Sequence, residues 1–174
     1  MSEENNLIFS RCPGCGDELE VVEGPTDRYG GSSAACWKRF TEILVREYSS
    51  PAHFKVHQLT VDAYMAQHPS QSSPAAIQSV WVHLVAIYLA LEQQKPLPFI
   101  QKVMKKLARP DIKFVALVPP PGPAALTVGH VWEAASAEDH QQRVRQWAGA
   151  VWESWGDRQE RIRDLAQYTI AKMP

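Results

Sequence analysis

The segment Cys12-Pro13-Gly14-Cys15 constrains the fold more than any other short stretch of the chain. A proline and a glycine between two cysteines make a tight turn in which both sulfur atoms can face one point, and such a turn is half of a tetrahedral metal site. A complete zinc ribbon carries a second Cys-x-x-Cys about 15 to 20 residues later, and this chain has none. The fold therefore has to bring the remaining ligands back to the turn from segments of another kind.

One further cysteine, Cys36, is present. It falls in the first turn of a predicted helix, where the backbone N–H groups and the helix dipole favour a thiolate. We expect Cys36 to be the third ligand of a zinc ion held by Cys12 and Cys15. The fourth ligand is a histidine, a carboxylate or water, and His57 is the first choice because its helix follows directly. A reactive thiol switch is an alternative role for Cys36.

Helical periodicity dominates the chain after residue 31. Apolar residues at helical spacing, with serine or threonine caps and first-turn prolines, indicate each helix. The predicted helices cover residues 33–48, 51–68, 75–94, 98–108, a short turn after Thr127, a helix capped by Ser136 that runs to 155, and 157–173.

These elements predict a mainly α fold, an antiparallel helical bundle with a loop-rich N-terminal cysteine-knuckle cap. We expect a single domain over residues 1–174. The cap would take residues 1–31 and the bundle residues 32–174, with a proline-rich connector at about 108–126, where PPPGP favours extended structure.

Composition and charge exclude several functional classes. With 45% hydrophobic and 21% charged residues the chain resembles an ordinary globular protein, and a net charge of −1 argues against a nucleic-acid or anionic-membrane partner. The acidic start MSEENNLIF lacks the basic residues of a signal peptide, and no apolar run approaches the roughly 18 residues of a membrane helix. We therefore expect a cytoplasmic protein, whose reducing surroundings disfavour disulfides between its three cysteines.

The histidines suggest a second site. His57 and His68 share one face of the second predicted helix, His83 lies level with His57 across a hairpin, and His140 lies on the apolar stripe of its own helix. We expect His83 and His140 to converge with His68 or His57 in the interior, with Asp62 nearby, either as a hydrogen-bonded core or as a catalytic metal site. Asp62 would accept a bond from an imidazole or from a polar neighbour across the hairpin. The alternative function is thus a metal-dependent enzyme of the hydrolase or thiol-transferase type.

The chain is rich in tryptophan, with six residues of this type. Core packing is the expected use of these indoles. A small-molecule ligand stacked inside the bundle is the alternative.

Several short blocks occur in order along nearly the whole chain. They are CPGC at 12–15, CW at 36–37, HxLxVDxY at 57–64, QHP at 67–69, QSVWVHL at 78–84, TV at 127–128, a histidine at 140 and VRxWAxxVW at 144–152. In these blocks the chain resembles a family of small, uncharacterised bacterial proteins known only as a domain of unknown function. It departs from that family in the connector, where PPPGPAAL replaces a shorter proline-containing stretch. The resemblance implies no activity; it implies that the motif residues include Cys12, Cys15, Cys36, His57, His68, His83 and His140.

Overall fold

The computed structural model describes residues 8–173 of the chain. The acidic residues 1–7, on which the prediction about a signal peptide rests, lie outside this range. The described elements are β1 Phe9–Arg11, β2 Glu18–Glu20, α1 Ala34–Tyr48, α2 Pro51–Phe54, α3 His57–Gln67, α4 Pro74–Leu91, α5 Leu97–Leu107, α6 Val128–Trp132, α7 Ala137–Ser154, a 3-10 turn Gly156–Arg158 and α8 Gln159–Ala171. The mainly helical fold is therefore confirmed.

The longest apolar helix, α4, forms the centre of the bundle. Ser73 caps it by accepting a hydrogen bond from the backbone of Ala76, and Pro74 occupies the first turn. Helices α3, α5, α7 and α8 pack around it. The statement that no apolar run approaches membrane length is wrong for α4, which at 18 residues is long and apolar enough to cross a bilayer. Its largely buried surface, however, is that of a core helix in a soluble protein.

The second predicted helix is in fact two helices. The chain changes direction at Lys55 and Val56, between α2 and α3. This break turns the Val56 side chain into the core, where it is 4% exposed, and stacks the Phe54 ring on His57. Neither proline nor glycine marks the break, so the helical periodicity runs through it and does not reveal it.

The N-terminal cap is rich in loops, as predicted, and it contains a short hairpin. Strands β1 and β2 pair antiparallel, with Ser10 opposite Leu19. Leu19 is the residue of β2 that is buried, and it belongs to the same hydrophobic cluster as the helices. The Cys-Pro-Gly-Cys turn connects the two strands.

Residues 108–126 contain no helix or strand in the described structure. Side chains of the bundle hold this segment in place by donating hydrogen bonds to its backbone carbonyl groups. The Trp81 indole, for example, donates to the Val115 carbonyl at 2.8 Å. Further along, the Ala124 N–H donates to the Cys15 carbonyl at 3.1 Å. The connector therefore leaves α5, crosses α4 and ends against the cysteine turn.

Candidate metal centre

The hairpin holds its two cysteines in a backbone-bonded turn. The Cys12 N–H donates to the Asp17 carbonyl at 2.8 Å, and the Gly16 N–H donates to the Cys12 carbonyl at 2.9 Å. Gly16 has φ of 77°, a left-handed conformation that glycine adopts without strain. Cys12 and Cys15 are 2% and 1% exposed. The turn therefore directs both sulfurs inward.

The third sulfur comes from the first turn of α1. Ser33 caps this helix, its hydroxyl accepting a bond from the Cys36 N–H at 3.2 Å. The Ser33 N–H in turn points at the Cys12 sulfur at 3.4 Å. The same cap thus fixes the position of Cys36 and contributes a donor to a thiolate at Cys12.

The fourth group is His68, the residue that follows α3. Its Nδ1–H donates to the Tyr64 carbonyl at 2.7 Å, which leaves the Nε2 lone pair free. Nε2 lies 3.3 Å from the Cys36 sulfur. The Tyr64 ring lies between His68 and Phe40, with ring centroids 4.1 Å and 3.9 Å away. The imidazole is therefore oriented both by a hydrogen bond and by aromatic packing.

Gly14 allows this close approach. A Cβ at this position would lie 2.5 Å from His68 Cδ2 and 2.9 Å from the Gly31 carbonyl oxygen. The Gly31 N–H also donates to the His68 carbonyl at 2.9 Å. The glycine between the two cysteines thus leaves space for the imidazole.

The four side chains have the spacing of a tetrahedral metal site. One ligand atom from each of Cys12, Cys15, Cys36 and His68 lies within 4.8 Å of every other, and all four residues are buried. The Cys15 and Cys36 sulfurs are 3.9 Å apart, and all three cysteines are free. A tetrahedral zinc ion with its usual bond lengths requires sulfurs about 3.8 Å apart and sulfur-to-nitrogen distances of about 3.6 Å. The four residues are therefore positioned to bind a metal ion.

The electrostatics of the cluster also favour a cation. Hydrogen bonds from Cys15 and Cys36 lower the pKa of Cys12 far below its usual range. Their hydrogen bonds with Cys12, together with burial, raise the pKa of Cys15 to about 12 and raise that of Cys36 further still. Three buried thiols can thus carry one negative charge by themselves, and a divalent cation stabilises all three thiolates. A reactive thiol switch needs an accessible sulfur, whereas Cys36 is 0% exposed.

His57, the predicted fourth ligand, lies elsewhere. Its Nδ1–H donates to Glu47 Oε2 at 2.8 Å, and its Nε2 is 3.3 Å from the Tyr48 hydroxyl. His57 opens α3 and His68 follows its end, so 11 residues of helix separate them by roughly 16 Å. The structure therefore places His68 rather than His57 beside the sulfurs.

The histidines of the predicted second site do not converge. His68 belongs to the cysteine cluster, the His83 Nδ1–H donates to Asp62 at 2.7 Å, and the His140 Nε2–H donates to Glu47 at 2.9 Å. Helical periodicity correctly predicts that each of these side chains points inward. Each of them, however, contacts a different group: His68 contacts Cys36, His83 contacts Asp62 and His140 contacts Glu47. Asp62 accepts a hydrogen bond from the His83 imidazole, which was one of the two donors predicted for it.

Glu47 is a buried polar residue that the sequence reasoning missed. It is 0% exposed, and it accepts bonds from His57, His140 and the Thr60 hydroxyl, the last at 2.5 Å. A signal was present, since Glu47 lies four residues after Ile43 on the buried stripe of α1. A carboxylate on an apolar stripe needs buried donors.

Two tryptophans support the end of α3 that carries His68. The Trp147 indole donates to the Gln67 side chain at 3.0 Å, and the Trp155 indole donates to the Ala66 carbonyl at 3.2 Å. Both indoles are 0% exposed. They are therefore core residues, as expected, and they fix the backbone on which the imidazole is mounted.

The fold and the site define a helical protein with a buried cluster of three cysteines and one histidine. The chain belongs to DUF5946, a family of unknown function whose model matches residues 10–156. This match confirms the resemblance to a family of unknown function. No curated protein and no solved structure is significantly similar to the chain.

Proposed function

We propose that the chain is a zinc-binding protein in which Cys12, Cys15, Cys36 and His68 hold one structural ion. The closed shape of the cluster carries this proposal. Four ligands fill a tetrahedral shell, so neither water nor a substrate has a position on the ion. Soft thiolates combined with one imidazole suit zinc better than the hard cations magnesium and calcium, which take oxygen ligands.

The ion would join three segments that are far apart in the sequence: the β1–β2 hairpin, the start of α1 and the end of α3. A two-stranded hairpin with three residues in each strand is not stable alone in water. Its attachment to the helices therefore depends on Leu19, on the contacts of Asp17 with Arg39 and Thr127, on the connector and on the ligand bonds. Because a preformed site does not exist in the unfolded chain, zinc binding adds directly to the folding free energy.

A reducing compartment suits this chemistry. Thiolates bind zinc only while they stay reduced, and the three cysteines are free. We infer that the protein works in the cytoplasm as a single domain.

A metal-dependent enzyme has less support. It requires an open coordination position and a ligand set that converges on it. Among residues 8–173, the cysteine cluster is the one group of three or more His, Cys, Asp and Glu side chains that lie close enough together to bind a single ion. His83 and His140 are each engaged by a carboxylate instead.

Metal analysis of purified variants tests the proposal. We expect one zinc per chain in the wild type and in His57→Ala, since His57 contacts Glu47. We expect Cys12→Ser and His68→Ala to lose zinc and to unfold at lower temperature. Unchanged zinc content and melting temperature in Cys12→Ser would contradict the proposal, and zinc loss in His57→Ala with retention in His68→Ala would contradict the assignment of His68.

A further inference from the structure

A cleft of about 500 Å³ opens between α3, α4, α5 and α7. Half of its lining residues are aliphatic and half are polar or charged, and none belongs to the metal centre. This volume lies in the range of small-molecule sites. The lining residues are Lys55, Val56, Gln58, Leu59, Asp62, Ala90, Leu91, Gln94, Lys95, Leu97, Ile100 and Arg145.

The rim of the cleft is basic. Lys55, Lys95 and Arg145 are exposed side chains from three different parts of the fold. None of the ion pairs within residues 8–173 involves any of the three. The three cations outnumber Asp62, the one carboxyl group among the lining residues, so they form a local positive field that attracts an anion.

The cleft also has a buried polar group. Asp62 is 1% exposed, and its Oδ1 accepts bonds from the His83 Nδ1–H at 2.7 Å and the Gln58 amide at 2.9 Å. Its Oδ2 has no donor among the described residues. Burial raises the pKa of the Asp62 carboxyl, and a hydrogen bond from a ligand donor to Oδ2 would favour the ionised form, in which Oδ2 is an acceptor.

The end of α4 brings Lys95 to the lip of the cleft. Gln94 has φ of 47°, a left-handed conformation that commonly terminates a helix. The Lys95 N–H donates to the Leu89 carbonyl at 2.9 Å and fixes the backbone of Lys95 against the end of α4.

We propose that this cleft binds a small organic anion with an apolar body, whose charged group meets the basic rim and whose hydrogen-bond donor meets Asp62. The aliphatic walls of Leu59, Leu91 and Ile100 pack on the body. The chemistry of the ligand follows from the three kinds of side chain in the cleft. Cations at the mouth bind its charged group, apolar walls pack on its body, and the Asp62 carboxyl group accepts from its donor. This site is independent of the zinc ion.

Nuclear magnetic resonance of the ¹⁵N-labelled, zinc-loaded full chain tests the proposal with indole-3-propionate, which carries a carboxylate, an apolar ring and a distant N–H. We expect saturable shifts at the backbone amides of Leu59, Leu91 and Lys95. Indole-3-propionamide lacks the charge and 1-methylindole-3-propionate lacks the donor, so each should bind roughly threefold to tenfold more weakly. No saturable shift at the cleft overturns the site, and equal binding of either analogue overturns the corresponding contact.

Variants of the rim provide a second test on the same ligand. The double substitution Lys95→Gln and Arg145→Gln should weaken binding roughly threefold to tenfold, and added salt should weaken binding to the wild type. Lys102→Gln removes an exposed cation of α5 outside the cleft and should leave the affinity unchanged. Equal affinities in the wild type and the double variant would overturn the role of the rim.

Discussion

Replacing Gly14 with alanine should damage the metal site through a single steric contact. The new Cβ would stand 2.5 Å from His68 Cδ2, about 0.9 Å inside the 3.4 Å at which ordinary contact begins. Movement of the turn is also limited, because the same Cβ would lie 2.9 Å from the Gly31 carbonyl oxygen and 3.0 Å from His68 Cα. The imidazole, which belongs to a packed stack with Tyr64 and Phe40, must then move or tilt.

A shift of this size exceeds what a metal bond tolerates. Metal–ligand distances in proteins hold to within about 0.2 Å, and loss of the groups that orient a ligand lowers metal affinity about 10-fold to 100-fold. We expect Gly14→Ala to lower zinc affinity by the same range, or about 1.4 to 2.8 kcal/mol. The free energy of unfolding of the zinc-loaded protein should fall by a similar amount.

Competition with a chromophoric chelator at fixed pH measures the affinity, and urea unfolding measures the stability. Gly149→Ala is the matched control, because a Cβ at Gly149, inside α7, meets nothing within 4 Å. Alanine in a helix interior is about 0.5 to 1 kcal/mol more favourable than glycine, so this variant should become more stable with unchanged zinc affinity. Unchanged zinc affinity in Gly14→Ala would refute the reasoning that places His68 on the ion.

Three further outcomes are expected. Glu47→Gln should lower the free energy of unfolding by about 3 kcal/mol in urea titrations with zinc content intact, because His57 and His140 lose a buried carboxylate; a loss under 1 kcal/mol would contradict this account. Arg163 holds the pKa of Glu92 below its usual value of 4.5, so this pair stabilises the fold above about pH 4.5 and ceases to do so as the pH falls through the lowered pKa. Glu92→Gln should therefore flatten the acid limb of stability against pH, and an unchanged limb would show that the pair contributes nothing. Removal of the ion with a chelator should lower the melting temperature in calorimetry, whereas an unchanged temperature would rule out a structural ion.

The sequence contained the parts of the metal site but not their full assembly. The Cys-Pro-Gly-Cys turn is a local motif, and Cys36 follows a serine cap, so both could be predicted from neighbouring residues. The choice between His57 and His68 depends on which end of α3 approaches the hairpin, and that is decided by tertiary packing. Gly14 was a usable signal, since a glycine facing a ligand indicates close approach of another group.

For the bundle too, helical periodicity predicted local features and not tertiary contacts. It located α1 and α4 because a cap and an apolar stripe are both local properties. It did not show the break at Val56 or the separate partners of His83 and His140, because a helical wheel gives the direction of a side chain and not the group that it meets. The buried Glu47 shows the converse, since its position on an apolar stripe was readable and its donors were not.

X-ray absorption at the zinc edge, on protein purified without a histidine tag and analysed for metal content, tests the central claim most directly. The account predicts one zinc per chain with three sulfur ligands at about 2.3 Å and one nitrogen ligand at about 2.0 Å. A shell rich in nitrogen or oxygen, a second bound ion, or a folded chain without zinc would contradict it.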